Sequence, residues 1–262
     1  MRYMGIDIGS STCCAVILDK NRQIESSAMV PTGARNEKAI ASVRRQTLDG
    51  AGLKPTDIKG LVSTGYGRKR VEDRTLDKTE IVCHAKGIQT YFPGTTVLID
   101  IGGQDSKAIY IHPKSGKVVN FAMNDKCAAG TGRFLETMAR VLEMDITDMD
   151  GLDVGEKGTQ QISNMCTVFA ESEVVSLIAQ GVETGEIISG INRAIATRTF
   201  SLAKRVASDM DSDKIAISGG VARIKGVVAA LERCLGKEIL VPPDPGIIGA
   251  LGAAVFALEE TI

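Results

Sequence analysis

The stretch "MGIDIGSSTCCAVIL", residues 4 to 18, has a counterpart in "VLIDIGGQDSKAIYI", residues 97 to 111. The two align without a gap, so that Asp7 falls on Asp100 and Gly9 on Gly102. Each copy has the pattern of a strand, an Asp-Ile-Gly turn and a second strand, and in each a third extended run follows. This internal similarity predicts two related α/β lobes, each with three antiparallel strands extended by parallel ones and covered by helices.

The repeat also sets the predicted domain boundaries. Lobe I takes residues 1–94 and 245–262, and lobe II takes residues 95–244. The segment "GALGAA", residues 249–254, is rich in small residues that permit close helix packing, and it predicts a hinge helix between the lobes.

Glycine turns between strands indicate a phosphate site, because they let backbone N–H groups approach an anion closely. The matching pair predicts a nucleotide cleft between the lobes, with Mg²⁺ held at Asp7 and Asp100 directly or through water. A third turn in "IAISGGVA", residues 215–222, suits the purine and ribose end. A plain hairpin is the alternative for either turn taken alone. The predicted nucleotide contacts are Asp7, Gly9, Ser10, Ser11, Thr12, Asp100, Gly102, Gly103, Gln104, Gly219, Gly220 and Val221.

Catalytic candidates follow the second turn. Gln104 and Asp105 are predicted to orient the attacking water and a Mg²⁺-bound water, with turn capping as the alternative. Glu80 and His84 lie four residues apart on a predicted helix. We take Glu80 as a candidate catalytic carboxylate, and a capping or salt-bridging role stays equally open.

Composition excludes several classes of partner. The 262 residues include 31 basic and 32 acidic ones, and the net charge of -1 offers no field for nucleic acid or an anionic membrane. The longest apolar run, residues 246–258, is too short to cross a bilayer, and the first 18 residues lack the pattern of a signal peptide. We expect a cytoplasmic protein whose six cysteines are thiols.

Two of these cysteines precede predicted helices. Cys127 lies in "NDKCAAGTGRFLE", residues 124–136, before a helix predicted over residues 133–143. Cys166 lies in "NMCTVFAESEVVSLI", before a helix predicted over residues 167–180. Since the chain has no C-x-x-C, any metal site must be assembled from distant segments. From the residues alone, buried thiols are the favoured alternative.

Together, seven segments resemble the activators of 2-hydroxyacyl-CoA dehydratases, a family related to the ATPase subunits of benzoyl-CoA reductase. They are "GIDIGS", "STGYGR", "IDIGGQD", "NDKCAAGTGRFLE", "CTVFAESEV", "SGGVA" and "GALGAA", and the resemblance runs from about residue 3 to residue 258. It implies an ATPase fold of the actin, hexokinase and Hsp70 type, with duplicated RNase H-like lobes. It also implies a homodimer, in which Cys127 and Cys166 of both subunits hold one [4Fe-4S] cluster.

The implied function is ATP hydrolysis coupled to passing one low-potential electron to a partner's iron–sulfur cluster. A donor such as ferredoxin or flavodoxin lies upstream, and a 2-hydroxyacyl-CoA dehydratase is the first expected partner. A double-cubane cluster protein or a benzoyl-CoA reductase is the alternative. Two functions of other classes remain open on this fold: a small-molecule kinase, and a nucleotide-gated binding module without catalysis.

The chain departs from the family at two positions. Cys14 stands where the family commonly has a lysine, and Lys107, its counterpart in the repeat, is expected to neutralise nucleotide phosphates instead. Ile224 stands where an asparagine is frequent, so that the ribose or adenine contacts are expected to differ.

Overall fold

The structure, a computed structural model, describes residues 1–207, 210 and 214–261. It contains two compact units. Unit 1 comprises Met1–Thr96, Ile111–Val119 and Pro242–Ile262, and unit 2 comprises Val97–Tyr110 and Asn120–Val241. Residues 95–96, 111–119 and 242–244, which the sequence analysis assigns to lobe II, cluster with unit 1, and the predicted lobe boundaries stay a prediction.

The secondary structure consists of both strands and helices. The strands are β1 (Arg2–Ile8), β2 (Thr12–Asp19), β3 (Ile24–Pro31), β4 (Ile58–Thr64), β5 (Leu76–Asp77), β6 (Val97–Ile101), β7 (Ser106–Ile111), β8 (Val118–Asn124) and β9 (Ile215–Ser218). The helices are α1 (Asn36–Ala51), α2 (Glu80–Tyr91), α3 (Gly132–Val141), α4 (Ile146–Leu152), α5 (Thr167–Ala179), α6 (Thr184–Lys204), α7 (Lys225–Leu235) and α8 (Ile248–Thr261).

Each unit is built on one mixed sheet. The sheet of unit 1 has the order β3-β2-β1-β4-β5, in which β1, β2 and β3 are antiparallel and β4 runs parallel to β1. The second sheet has the order β8-β7-β6-β9, with β6 and β7 antiparallel and β6 and β9 parallel. In both copies of the repeat, the first two strands are antiparallel and a later strand runs parallel to the first, as the sequence predicts.

The two copies agree in register. Asp7 pairs with Cys14 across β1 and β2, and Asp100 pairs with Lys107 across β6 and β7. In unit 1 the inner strand β1 is covered by α8, where small residues allow backbone to meet backbone. A Cβ on Gly5 would overlap the Ala250 carbonyl oxygen. This is the close packing that "GALGAA" predicts, whereas the hinge role of α8 stays a prediction.

Apolar residues of the strands and helices fill both interiors. Met4, Ile6, Ile8 and Val43 belong to the core of unit 1, and the core of unit 2 includes Phe134. Within the described ranges, no helix combines the length and the hydropathy needed to cross a bilayer.

Candidate functional site

Turn 1, residues 9–12, is closed by a hydrogen bond from the Gly9 amide to the Thr12 carbonyl at 3.0 Å. Its carbonyls are held by neighbours within unit 1. The Thr32 hydroxyl donates to the Gly9 carbonyl at 2.8 Å, and the Thr32 amide donates to the Ser11 carbonyl at 2.9 Å. Ser11 Oγ is buried and has no hydrogen-bond partner among the described residues. The turn therefore combines a fixed backbone with one buried hydroxyl whose hydrogen bonds are unsatisfied.

Asp7, at the end of β1, lies beside the first turn of α8. A Cβ on Gly249 would overlap Asp7 Oδ2 and lie 2.7 Å from His84 Cε1, so both side chains close around this glycine. His84 Nδ1 is 2.9 Å from the Glu80 carbonyl oxygen, one helical turn earlier on α2. The predicted spacing of Glu80 and His84 on one helix is observed. The catalytic role of Glu80 stays a prediction.

The buried thiols of unit 1 border Asp7. The Cys14 thiol donates to the Gly246 carbonyl at 3.5 Å. Burial, followed by the charge of Asp7, raises the pKa of Cys14 far above its ordinary value of 9.0, and the same two causes raise the pKa of Cys13 to about 12. Both thiols therefore stay neutral, and Cys14 brings no positive charge to turn 1.

Turn 2, residues 102–105, repeats the closing hydrogen bond, from the Gly102 amide to the Asp105 carbonyl at 2.9 Å. Two carbonyls of this turn accept hydrogen bonds from the start of α3. The Gly102 carbonyl accepts from the Gly132 amide at 2.9 Å, and the Gly103 carbonyl accepts from the Arg133 amide at 2.8 Å. These amides belong to the first turn of α3, so turn 2 is bound directly to the helix that follows the Cys127 loop.

A buried ion pair stiffens turn 2 from below. Lys107 Nζ lies 3.1 Å from Asp100 Oδ2 and 2.6 Å from Asp105 Oδ2, and the side chains of Lys107 and Asp100 are 4% and 3% exposed. Ser218 Oγ donates to Asp100 Oδ1 at 2.7 Å. Asp100 thus has a donor on each oxygen. Lys107 forms ion pairs with both carboxylates, and its predicted contact with phosphate stays a prediction. Gln104 is exposed.

The third glycine turn adjoins turn 2. Strands β6 and β9 are parallel, with Asp100 opposite Ser218, so their carboxyl ends meet at the same edge of the sheet. Gly219 has a φ of +88°, and a Cβ there would overlap the Ile101 carbonyl oxygen. The structure therefore brings Gly219, Gly220 and Val221 beside turn 2, and their contact with a nucleotide stays a prediction.

Ile224, the second departure from the family pattern, is buried at the start of α7. The amides of Lys225 and Gly226 each donate to an oxygen of Asp150 at 2.9 Å. A carboxylate from α4 thus caps this helix. The roles of Asp150 and of Thr32 on turn 1 are not predicted from the sequence, because a contact between distant segments leaves no local pattern.

Cys127 and Cys166 come together in unit 2. The Cys127 thiol lies 3.6 Å from the carbonyl oxygen of Met165, the residue directly before Cys166. Cys166 is the N-cap of α5, where the positive end of the helix dipole favours an anion. Thr167 Oγ1, one residue further, is buried without a hydrogen-bond partner in the described part of the chain. Both cysteines are half-buried.

The described residues contain no group of three or more His, Cys, Asp or Glu suited to a metal ion. One chain therefore offers two thiols at this place. The helices that follow them occupy Gly132–Val141 and Thr167–Ala179, close to the predicted bounds.

Apolar side chains lie exposed next to the cysteine pair. Met165, Val168 and Phe169 are 76%, 65% and 66% exposed, and Val175 and Ile178 continue the exposed surface along α5. Large exposed apolar patches are a mark of interaction surfaces. We call these five residues the α5 face.

Comparison with known proteins gives concordant matches over nearly the whole chain. The profile of the BadF/BadG/BcrA/BcrD ATPase family matches residues 4–257. The activator of lactoyl-CoA dehydratase from Anaerotignum propionicum is 44% identical over 259 residues, which cover 99% of this chain and 98% of that protein. A subunit of the benzoyl-CoA reductase from Thauera aromatica is 27% identical over 265 residues, covering 96% and 91%.

Solved structures agree. The activator of the 2-hydroxyisocaproyl-CoA dehydratase from Clostridium difficile, with bound ADPNP, superposes with a TM-score of 0.92 at 40% identity and covers 100% of this chain and 96% of its own. Component A of the Acidaminococcus fermentans (R)-2-hydroxyglutaryl-CoA dehydratase superposes with a TM-score of 0.91 at 40% sequence identity. The match covers 100% of this chain and 99% of that one. A glucokinase of the ROK family from Streptomyces griseus superposes with a TM-score of 0.63 at 15% sequence identity, covering 99% of this chain and 100% of its own. At this identity the match shows a common fold alone. The predicted fold class is confirmed.

Proposed function

The chain belongs to the BadF/BadG/BcrA/BcrD ATPase family, and on that premise we propose that it is an ATP-dependent activator delivering one electron to a partner iron–sulfur enzyme. One observation carries the proposal. Two cysteines from separate segments meet in the unit that also holds turn 2, and the backbone of turn 2 is bonded to the helix after the first cysteine. A kinase or a plain nucleotide switch has no use for that pair.

ATP and ADP bind through the glycine turns. Backbone amides of both turns take the phosphates, and the turn at Gly219 takes the adenosine. Ser11 Oγ supplies a further hydrogen-bonding group. Mg²⁺ fits a site where carboxylates act through water, because both oxygens of Asp100 already accept hydrogen bonds from protein groups. Asp7 is the matching carboxylate of the other turn.

Hydrolysis rests on residues of turn 2 and on Lys107 beside it. Gln104 orients the attacking water, and Asp105 orients a water on the cation. Lys107 fixes Asp105 through the 2.6 Å ion pair, so it acts on the phosphates through that carboxylate. Glu80 remains the candidate catalytic carboxylate of unit 1.

Cys127 and Cys166 fit the thiolate half of a [4Fe-4S] site. The N-terminus of α5 faces this position, and its first turn carries no acidic residue. The orphaned Thr167 hydroxyl is a hydrogen-bond donor for a sulfur ligand. Once bound, the cluster supplies a site that takes up and releases a single electron. Two thiolates are half of the four required, so a second copy provides the other two.

The α5 face supports this homodimer. Its exposed apolar side chains begin at Met165, beside the cysteine pair, and continue along the helix. A two-fold contact through this surface buries apolar area and encloses the cysteines of both subunits.

The effect of ATP binding is transmitted to the cysteines through α3. A displacement of turn 2 on nucleotide binding pulls on the amides of Gly132 and Arg133, and Cys127 stands five residues before Gly132. Packed elements transmit such shifts as discrete rearrangements.

A 2-hydroxyacyl-CoA dehydratase is the first expected partner, since relatives that are 40% to 44% identical bear the name of such activators. The 27% identical relative from benzoyl-CoA reductase makes that reductase, beside a double-cubane protein, the second candidate. The electron donor is a ferredoxin or flavodoxin, and all partners share the reducing cytoplasm, where thiols persist.

The deciding experiment is the iron and sulfide content of protein purified and reconstituted without oxygen. We expect one cluster, about four iron atoms, per dimer, and its loss in Cys127→Ala and in Cys166→Ala. Cys234→Ala is the matched control, because Cys234 is half-buried and packs against the core of unit 2, as Cys127 does, but lies outside the two cysteine segments. Iron that is absent in the wild type, or retained in both variants, refutes the cluster.

A further inference from the structure

Arg198, on α6, contacts both segments that carry the paired cysteines. Its Nη1 donates to the carbonyl of Asn164 at 2.8 Å, and Asn164 stands two residues before Cys166. Its Nη2 lies 3.5 Å from Oδ1 of Asn124, three residues before Cys127. One side chain thus joins two segments that are far apart in sequence.

The Cys127 loop is shaped around this arginine. Asn124 Nδ2 donates to the carbonyls of Cys127 and Ala129 at 3.0 and 3.3 Å, which carries the connection into the loop. Gly130 has a φ of +81°, and a Cβ there would lie 2.9 Å from Cδ of Arg198. The loop can approach the arginine stem this closely because Gly130 has no side chain.

The charge of Arg198 has no local anion. Its two acceptors are a backbone carbonyl and an amide oxygen, and no carboxylate pairs with it in the described ranges. Its Nε is buried and lacks an acceptor among the same residues. A guanidinium that is partly withdrawn from water without a counter-ion is costly, and an anion bound at the neighbouring cysteines offsets that cost. The thiolates of Cys127 and Cys166 would supply this negative charge.

We propose that Arg198 is a positioning residue that holds Cys127 and Cys166 at one spacing and supplies the positive charge for an anionic group bound between them. The identity of that group rests on the proposed function. The spacing does not, because it is argued from the hydrogen bonds of Arg198 alone.

The test uses Arg198→Met, which removes the charge and the fork of donors, and Arg198→Lys, which keeps the charge alone. Arg193 provides the matched control on the same helix. It is also half-buried and donates to backbone carbonyls, those of Gln160 and Gly158 at 3.2 and 2.6 Å, outside the two cysteine segments. Arg193→Met and Arg193→Lys are made in parallel.

The first measurement needs no metal. Iodoacetamide labels metal-free protein, and peptide mass spectrometry gives the rate at Cys127 and Cys166, with Cys234 as an internal reference. We expect both rates to rise severalfold in Arg198→Lys, which loses the fork of donors but keeps the positive charge that favours the reactive thiolates, and to stay unchanged in Arg193→Lys. Unchanged rates in Arg198→Lys overturn the spacing role.

The second measurement follows iron. In reconstituted protein, release of iron to a chelator should be about tenfold faster in Arg198→Met, as for other groups that support metal ligands. The reduction potential should become more negative in Arg198→Met and stay near the wild-type value in Arg198→Lys, because a nearby positive charge favours the reduced form. Equal potentials in Arg198→Met and wild type overturn the charge role.

The two proposals fail separately. Wild-type protein that takes up no iron refutes the cluster, while the labelling rates of metal-free protein still decide whether Arg198 sets the spacing. Thermal melting shows whether each variant folds. If Arg198→Met does not fold, the comparison of Arg198→Lys with Arg193→Lys decides, and equal labelling and release in that pair overturn the proposal.

Discussion

Turn 1 and turn 2 have the same closing hydrogen bond and the same strand register, yet different neighbours hold them. Thr32 donates twice to carbonyls of turn 1, and the Gly67 amide donates to Ile8 just before it. These donors lie in loops of unit 1 itself. Turn 2 instead accepts from the first amides of α3, directly after the Cys127 loop.

The charges beneath the two turns differ as well. Opposite Asp100 stands Lys107, which binds two carboxylates, whereas opposite Asp7 stands the neutral thiol of Cys14. One copy of the duplicated turn is therefore an anchor within its own unit. The other is connected both to an ion pair and to the cysteines. The following experiments test that division, from the largest expected effect to the smallest.

Removing the cation under turn 2 should have the largest effect. Lys107→Met leaves Asp100 and Asp105 without their buried partner, which should lower the free energy of unfolding by roughly 3–5 kcal/mol. Cys14→Ala, at the matching position of turn 1, should cost only about 1 kcal/mol, because it deletes one sulfur atom. Urea unfolding followed by circular dichroism measures both. Equal losses would contradict the asymmetry.

A side chain placed in the contact between turn 2 and α3 should uncouple the nucleotide site from the cysteine pair. A Cβ on Gly132 would lie 3.2 Å from Gly103 Cα, so Gly132→Ala should push the turn and the helix apart. In the wild type we expect ADP affinity to differ at least about fivefold between iron-loaded and metal-free protein. Isothermal titration calorimetry should find this ratio near one in Gly132→Ala.

Gly9→Ala is the control for that measurement, because its Cβ would crowd the Thr12 carbonyl within turn 1 at 3.0 Å. It should weaken ADP binding in both forms of the protein and leave their ratio unchanged. A ratio that collapses equally in Gly9→Ala would show that turn 1 is coupled as well.

Loosening turn 1 should have a local effect of about 1 kcal/mol. Thr32→Val removes the hydroxyl that donates to the Gly9 carbonyl, at the usual cost of one hydrogen bond. Thr32→Ser keeps the donor and is the control. ADP affinity should fall in Thr32→Val alone, while the rate of iron release stays at the wild-type value. Faster iron release would break the comparison.

The smallest effect concerns the buried thiols of unit 1. Burial raises the pKa of Cys13 from 9.0 to about 12. Below pH 9 both the folded and the unfolded chain hold the proton, and above it the unfolded chain releases the proton first. Stability is therefore fully present at neutral pH and falls through the window from about 9 to 12.

At pH 9.2 the loss should be about 0.5 kcal/mol. We expect it as a difference between the wild type and Cys13→Ala in urea midpoints measured from pH 7 to 9.2. Parallel curves for the two proteins would contradict the raised pKa.

Sequence alone predicts the repeat, the strand directions and the helix behind each cysteine, because these follow from local patterns of apolar residues and glycine. It places Lys107 next to the phosphate turn but does not foresee its burial, although the pairing of Asp100 with Lys107 puts both side chains on one face of the sheet.

The long-range hydrogen bonds around the candidate site could not be predicted from the sequence. Asp150 caps a helix 75 residues later in the chain, and Arg198 has the appearance of any charged residue on an amphipathic helix. Such contacts depend on how distant segments pack, which period and propensity do not encode. The homodimer, the Mg²⁺ site and the hinge role of α8 remain predictions.

The position of α8 bears on how the molecule is made. This helix completes unit 1, where Gly5 of β1 and Gly87 of α2 accept its backbone in direct contact. During synthesis all of unit 2 leaves the ribosome before α8 does. The nascent first sheet must therefore wait with an uncovered apolar surface while the second unit folds. Chaperone occupancy on ribosome-bound chains of increasing length should persist until α8 has emerged.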